Sequence, residues 1–151
     1  MISKGGDVME RKVIIKEVHK PIQEIKIDAD EKLFMQDVMG PHMAFAGDTK
    51  YVSLNRLNTM FLVVNGMSGF GLEENFLYVE NDGVMKDGLI PHVQPARGTA
   101  YFVRVKWVDD GIKKRAKLVD VTEDDFVYAR NFMTDVYQRK LKESPYPMLF
   151  S

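Results

Sequence analysis

A chain of 151 residues with 21 Lys and Arg against 22 Asp and Glu, a formal net charge of -1, has neither the basic excess of a dedicated nucleic-acid binder nor the acidity of a nucleic-acid mimic. It contains no cysteine, which excludes disulfides, thiolate catalysis and cysteine zinc sites. At this length one compact domain buries roughly 70% of its unfolded surface and needs no metal or crosslink. No apolar run approaches the roughly 20 residues that span a bilayer. The opening MISKGGDVMERK lacks the apolar core of a signal peptide, so a soluble cytoplasmic protein is expected.

In chain order, residues 1–11 are polar and glycine-bearing and predict a flexible tail. KVIIKEV and IQEIKI predict two strands with a turn at His19–Pro21, because Pro21 cannot donate a ladder hydrogen bond. IDADEKLFMQDVMGP predicts a helix capped by Asp28 or Asp30, with Leu33, Phe34 and Val38 at helical spacing and Gly40-Pro41 ending it. HMAFA and YVSL are short strand candidates around a turn at Gly47-Asp48. LNTMFLVVN is the continuous apolar run expected of a central strand covered on both faces. NFLYVEN predicts another strand, and NDGVMKDGLIPHVQPARG a loop punctuated by Gly83, Gly88, Pro91 and Pro95.

TAYFVRVKWV alternates, with Tyr101, Val103, Val105 and Trp107 on one face and Phe102, Arg104 and Lys106 on the other. IKKRAKLV returns with Ala116 and Leu118 alternating against Arg115 and Lys117. At VTEDDF, Thr122 is the N-cap of a long final helix with Asp125 three residues on, and Phe126, Ala129, Met133, Val136 and Tyr137 form its apolar stripe. The expected architecture is α+β. A mostly antiparallel sheet carries two helices, the longer one C-terminal, in one domain over residues 12–143, followed by a tail over 144–151.

NGMSGFGLEEN, with Asn65, Gly66, Gly69, Gly71 and Asn75, is the most enzyme-like stretch. A P-loop needs Lys-Ser or Lys-Thr after its glycines, and none follows. A dinucleotide fingerprint needs G-x-G-x-x-G opening a helix, whereas the order here is G-x-x-G-x-G. A nucleophile elbow needs G-x-S-x-G, and Phe70 stands where the second glycine belongs. The stretch therefore reads as a connection whose glycines allow close chain approach or positive φ. His19, His42 and His92 lack the spacing of a helical metal site, and no serine has a local base motif. No catalytic residue, cofactor or metal is predicted.

The 101–119 hairpin is the stronger lead. A two-residue turn at Asp110-Gly111 would pair Val103 with Leu118 and Val105 with Ala116 on the core face. It would also gather Arg104, Lys106, Lys113, Arg115 and Lys117 on the other face. Like charges opposite one another are destabilising, so such a strip either splays into water or receives an anion. The acidic start of the final helix is one internal candidate; a nucleic acid, nucleotide or acidic protein is an external one. PYPMLFS at the C-terminus either folds back on the body or contributes to docking or a homo-oligomer interface.

The order of these elements resembles an uncharacterised family of small proteins from phages, plasmids and gut Firmicutes, domain of unknown function 3846. The matching features are KVIIKEVHKPIQEIKI, EKLFMQDVMG, the strand FLVVN ending at Asn65, and Gly71-Leu72 with Asn75. Gly98, Thr99, Phe102 and Val103, and the helix start VDVTEDDF, complete them. Glu73 stands where the family has proline, and residues 76–97 are longer than usual. The resemblance, over about residues 11–135, implies a mobile-element protein acting inside a bacterial cell and carries over no catalytic residue. On this reading the protein is a non-enzymatic accessory factor that binds a host protein or a small signalling ligand, as in inhibition of host defence. The alternatives are a nucleic-acid or nucleotide binder using the basic hairpin face, and a small hydrolase whose site is assembled only by folding.

Overall fold

Strand β1 (Glu10–Lys16) starts inside the expected N-terminal tail, because Glu10 and Arg11 already pair with Asp28 and Ile27 of β2 (Gln23–Asp28). The structure, a computed structural model, describes residues 9–82 and 90–143. Residues 1–8 of the predicted N-terminal tail, the glycines at 83 and 88, and the 144–151 tail lie outside the described residues. His19, at φ 65, makes the turn between β1 and β2.

The expected helix from Asp28 or Asp30 is cut to five residues, α1 (Met35–Met39). The Asp30 carboxylate instead accepts the backbone N–H of Lys32 at 2.8 Å, a local turn that competes with helix. Phe34 takes the N-cap position, and its N–H donates to Asp37 at 3.1 Å. HMAFA forms no strand; it runs through bends and two short 3-10 turns, Gly40–His42 and Ala46–Asp48. The N–H of Ala44 is taken by the Asn65 side chain rather than by a neighbouring strand.

β3 (Thr49–Ser53) and β4 (Met60–Asn65) pair antiparallel, and all six residues of β4 are buried, as a doubly covered strand requires. β5 (Glu74–Asp82) pairs with β6 (Ile90–Arg97). The proline-bearing stretch expected to be loop is thus largely strand. Among the described residues β6 has a ladder on one side only, the position in which strand prolines are tolerated.

β7 (Ala100–Asp109) organises the main sheet. On one side it pairs with β4; on the other it divides its length between β1, at Ala100 to Phe102, and β8 (Lys114–Val119), from Arg104 onward. The order is β2-β1-β7-β4-β3, with β8 beside β7, all antiparallel. The β7–β8 register differs by two residues from that of a two-residue turn: Val105 faces Leu118, Trp107 faces Ala116 and Lys106 faces Lys117. The cause is a longer loop. The Asp110 carboxylate accepts the N–H groups of Ile112 and Lys113, each at 2.9 Å, and Gly111 adopts φ 91. A shift of two preserves faces, so Val103, Val105, Ala116 and Leu118 still point to the core.

The expected single C-terminal helix is divided into α2 (Glu123–Phe132) and α3 (Asp135–Lys142). Thr122 and Asp125 form the anticipated capping box. The division falls at Thr134, whose hydroxyl accepts the N–H of Tyr137 at 3.2 Å and starts a new helix. Thr134→Ala removes that cap and should lower stability by about 1 kcal/mol, read as a reduced urea midpoint with unchanged slope.

The result is an α+β domain in layers. One sheet face carries α1 over Val13, Phe61, Val63 and Val103. The other carries the β5–β6 hairpin and α2, where Phe76, Phe102 and Phe132 meet at centroid distances of 5.8–6.4 Å. α3 covers the outer face of the hairpin through Leu141, against Leu77 and Val93. Among the described residues no helix is long and apolar enough to cross a membrane.

Candidate functional site

The glycine stretch leaves β4 and turns through a 3-10 helix, Met67–Gly71. It is tied down by Asp48, whose backbone carbonyl accepts the N–H of Gly66 at 2.8 Å and whose carboxylate accepts the N–H of Ser68 at 2.5 Å. The Ser68 backbone bond holds the Asp48 carboxyl below its ordinary range. Gly66 is required by close approach: a Cβ there would lie 2.7 Å from the carbonyl oxygen of Asp48. Gly69 packs directly on the Asn65 side chain, while Gly71 faces open space.

Asn65 and Asn75 both serve as clamps. Asn65 Oδ1 accepts from the N–H of Ala44 at 3.3 Å, and its Nδ2 donates to the carbonyl of Arg97 at 2.7 Å. Asn75 Nδ2 donates to the carbonyls of Lys16 and Gly98 at 2.8 and 2.9 Å, and its Oδ1 accepts from Lys16 Nζ at 2.8 Å. Together they pin the Arg97–Gly98 corner between β6 and β7. Gly98 sits there at φ 73, with its α-carbon against Leu72.

Of the five hairpin cations, Arg104 is paired internally, while Lys106, Lys113, Arg115 and Lys117 stay on β7, β8 and their loop, with Lys106 opposite Lys117. Arg104 lies beneath the N-terminus of α2, where Nε and Nη2 donate to the two carboxylate oxygens of Asp125, each at 2.7 Å. Arg115 and Lys117 turn over the edge of β8 onto the Phe34 ring, at 3.9 and 5.5 Å, and Lys117 Nζ also donates to the carbonyl of Glu31. Lys106 is exposed, and Lys113 lies exposed in the β7–β8 loop. Trp107 is 42% exposed and donates its indole N–H to the carbonyl of Asn58 at 2.7 Å.

What the glycine loop builds is a cavity of about 180 Å³ against β3 and the β5–β6 hairpin. Tyr78 and Gln94, each 2% exposed, lie in its depth beside Lys50. Met67 and Phe70, at 67% and 68% exposure, form the rim, with Pro95 and Arg97 between. Lys50 Nζ donates to Glu80 at 2.6 Å and approaches the Tyr78 hydroxyl at 3.5 Å. Gln94 Nε2 donates to the same Glu80 oxygen at 2.5 Å. Burial, reinforced by the Glu80 charge, pushes the Tyr78 phenol well above its ordinary value, so it stays protonated and available as a donor. The Arg97 guanidinium lies 5.5 Å from the Phe70 ring centroid and donates Nη1 to the carbonyl of Leu72 at 3.3 Å.

Among the described residues no serine, histidine or carboxylate lines this cavity. Among the described residues no group of three or more His, Asp or Glu is placed to hold a metal ion. His19 contacts Glu73 at 2.5 Å on the surface, and His42 packs edge-on to Tyr101. His92 sits within β6, opposite Glu80, with both ring nitrogens buried and unpartnered among the described residues.

Lys50, Tyr78, Gln94 and Arg97 are absent from the sequence-derived site. Arg97 and Gln94 fall in the stretch read as loop, and Lys50 and Tyr78 carry no motif. The one available signal is Gln94, a polar residue next to Val93 in a run that alternates once it is recognised as a strand. No family model matches the chain, and comparison with curated proteins and with solved structures returns no match.

Proposed function

We propose that the protein is a non-enzymatic binding protein that holds a small ligand in the cavity beside the glycine loop. In the context implied by the family resemblance, it acts inside a bacterial cell as a mobile-element accessory factor that modulates a host process through that ligand. The observation that supports this reading is the construction of the cavity itself. Two asparagine clamps and the Asp48 anchor hold the loop, β3 and the hairpin around a hollow that places Tyr78 and Gln94 at its base. A concave apolar site with a few convergent polar groups is the usual form of a small-molecule site. The internal pairing of Arg104 with Asp125 removes one cation from the basic face on which the nucleic-acid alternative rests.

A panel of single-ring compounds spanning positive, neutral and negative charge, scored by ligand-observed NMR and thermal shift, tests the reading. At least one member should bind, and Phe70→Ala should weaken it severalfold, since this exposed rim residue can be shortened without opening the core. If no member of the panel binds, the proposal fails.

A further inference from the structure

We infer that the cavity takes a single-ring organic anion, a flat carboxylate with an apolar ring; this rests on the small-ligand reading above. Size sets the first limit. A cavity of about 180 Å³ is slightly larger than the roughly 150 Å³ apolar cavity that holds benzene, leaving room for one ring and a small substituent. A nucleotide or a folded peptide does not fit inside it.

The polar lining sets the charge. The Arg97 guanidinium and the Tyr78 hydroxyl present donors, Lys50 Nζ and Gln94 Nε2 already donate to Glu80, and among the described residues no carboxylate lines the walls. Both ends of the Asn65 amide are engaged by Ala44 and Arg97 backbone groups, so Asn65 contributes shape. The Lys50 charge is matched by Glu80, which lies towards the neighbouring groove, and by the Asp48 carboxylate, whose ionised form Lys50 favours. Arg97 differs: among the described residues no carboxylate lies within ion-pair distance of it. One of its five N–H groups goes to Leu72. The remaining edge can engage a carboxylate in the paired geometry that guanidinium favours.

Flatness follows from the same residues. Phe70, already beside the Arg97 guanidinium, together with Pro95 and the Met67 thioether, offers apolar surfaces suited to an aromatic ring. The carboxylate then sits at Arg97 near the rim, and the ring extends inward, where a polar substituent would meet Tyr78 and Gln94.

The test titrates benzoate, benzamide and benzylamine against the full chain, followed by protein-observed NMR. Benzoate should bind about tenfold or more tighter than benzamide, the difference expected for hydrogen bonds to a charged partner, with benzylamine weakest. Arg97→Gln should reduce benzoate affinity about tenfold and leave benzamide unchanged, Arg97→Lys should retain part of the preference, and Lys26→Gln, on β2 outside the cavity, should change neither. The three-compound comparison on the wild-type chain decides the charge without any variant. Equal binding of benzoate and benzamide, a preference for benzylamine, or an Arg97→Gln protein with unchanged benzoate affinity overturns the anion assignment while the cavity reading stands. Absence of binding by all three, together with a silent panel, overturns both.

Discussion

Asp125→Ala lowers stability by about 3 kcal/mol, at the lower end of the range for breaking a buried ion pair. Asp125 is almost fully buried, accepts two hydrogen bonds from Arg104, and also closes the capping box by accepting the N–H of Thr122 at 2.9 Å. Its removal leaves a guanidinium with two donors unmatched and the Thr122 N–H without its acceptor, while the Thr122 hydroxyl still caps the backbone N–H of residue 125. The lower end applies because Arg104 keeps 30% of its side-chain surface in water and can recover part of its solvation. For a chain of this size the melting temperature should fall on the order of 10 °C. Asp125→Asn separates charge from capping, since the amide oxygen still accepts from Thr122. Burial alone would raise the Asp125 pKa, but the hydrogen bonds from Arg104 and Thr122 outweigh it and hold the carboxyl below its ordinary value. A depressed folded pKa means that this stabilisation is fully present above the unfolded carboxylate value, about 4, and is lost as pH falls below that through the folded value. Urea melts of the wild type and Asp125→Asn between neutral and acid pH should therefore converge at the acid end. Parallel profiles would show that the carboxylate charge contributes nothing.

Gly66→Ala and Gly71→Ala, five residues apart in the same loop, should behave oppositely. At Gly66 a methyl group meets the Asp48 carbonyl oxygen at 2.7 Å and the Asp48 carboxylate as well. The carbonyl is backbone and the carboxylate is fixed by the Ser68 N–H, so neither yields without breaking a hydrogen bond. The cost should reach about 3 kcal/mol, the upper part of the range for overpacking, and the displaced loop should also weaken whatever the cavity binds. At Gly71 nothing lies within 4 Å and φ is not positive, so alanine is accommodated. There the change should be neutral or stabilising by about 0.5 kcal/mol through the unfolded chain. Denaturant midpoints of the two variants measured side by side check both. A Gly66→Ala protein as stable as wild type would remove the anchoring role given to Asp48.

The parts of the fold that were legible from residue order are those governed by local pattern. The doubly covered β4, the alternation of β7 and β8, and the Thr122–Asp125 capping box all follow from side chains within a few positions of one another. The errors arose where a polar side chain found a backbone partner that local pattern does not show. Asp30 turned on Lys32 and shortened α1, Thr134 capped a second helix, and Asp110 widened the β7–β8 loop and moved its register by two. β6 reads as loop because Gly83, Gly88, Pro91 and Pro95 punctuate its stretch, and nothing local shows that among the described residues β5 is its one ladder partner.

By itself, then, the amino-acid order determined the α+β class, the two faces of the 101–119 hairpin and the failure of each glycine-loop template, because these depend on residue type and short spacing. Only the tertiary structure decided which charges meet. Arg104 and Asp125 lie 21 residues apart and form one pair, while Arg115 and Lys117 fold over Phe34. The cavity was equally invisible: Lys50, Phe70, Tyr78, Gln94 and Arg97 come from four separate segments. They converge because Asn65, Asn75 and Asp48 reach across the chain to hold backbone groups of distant residues. Such contacts are fixed by the packing of layers, which no window along the chain contains.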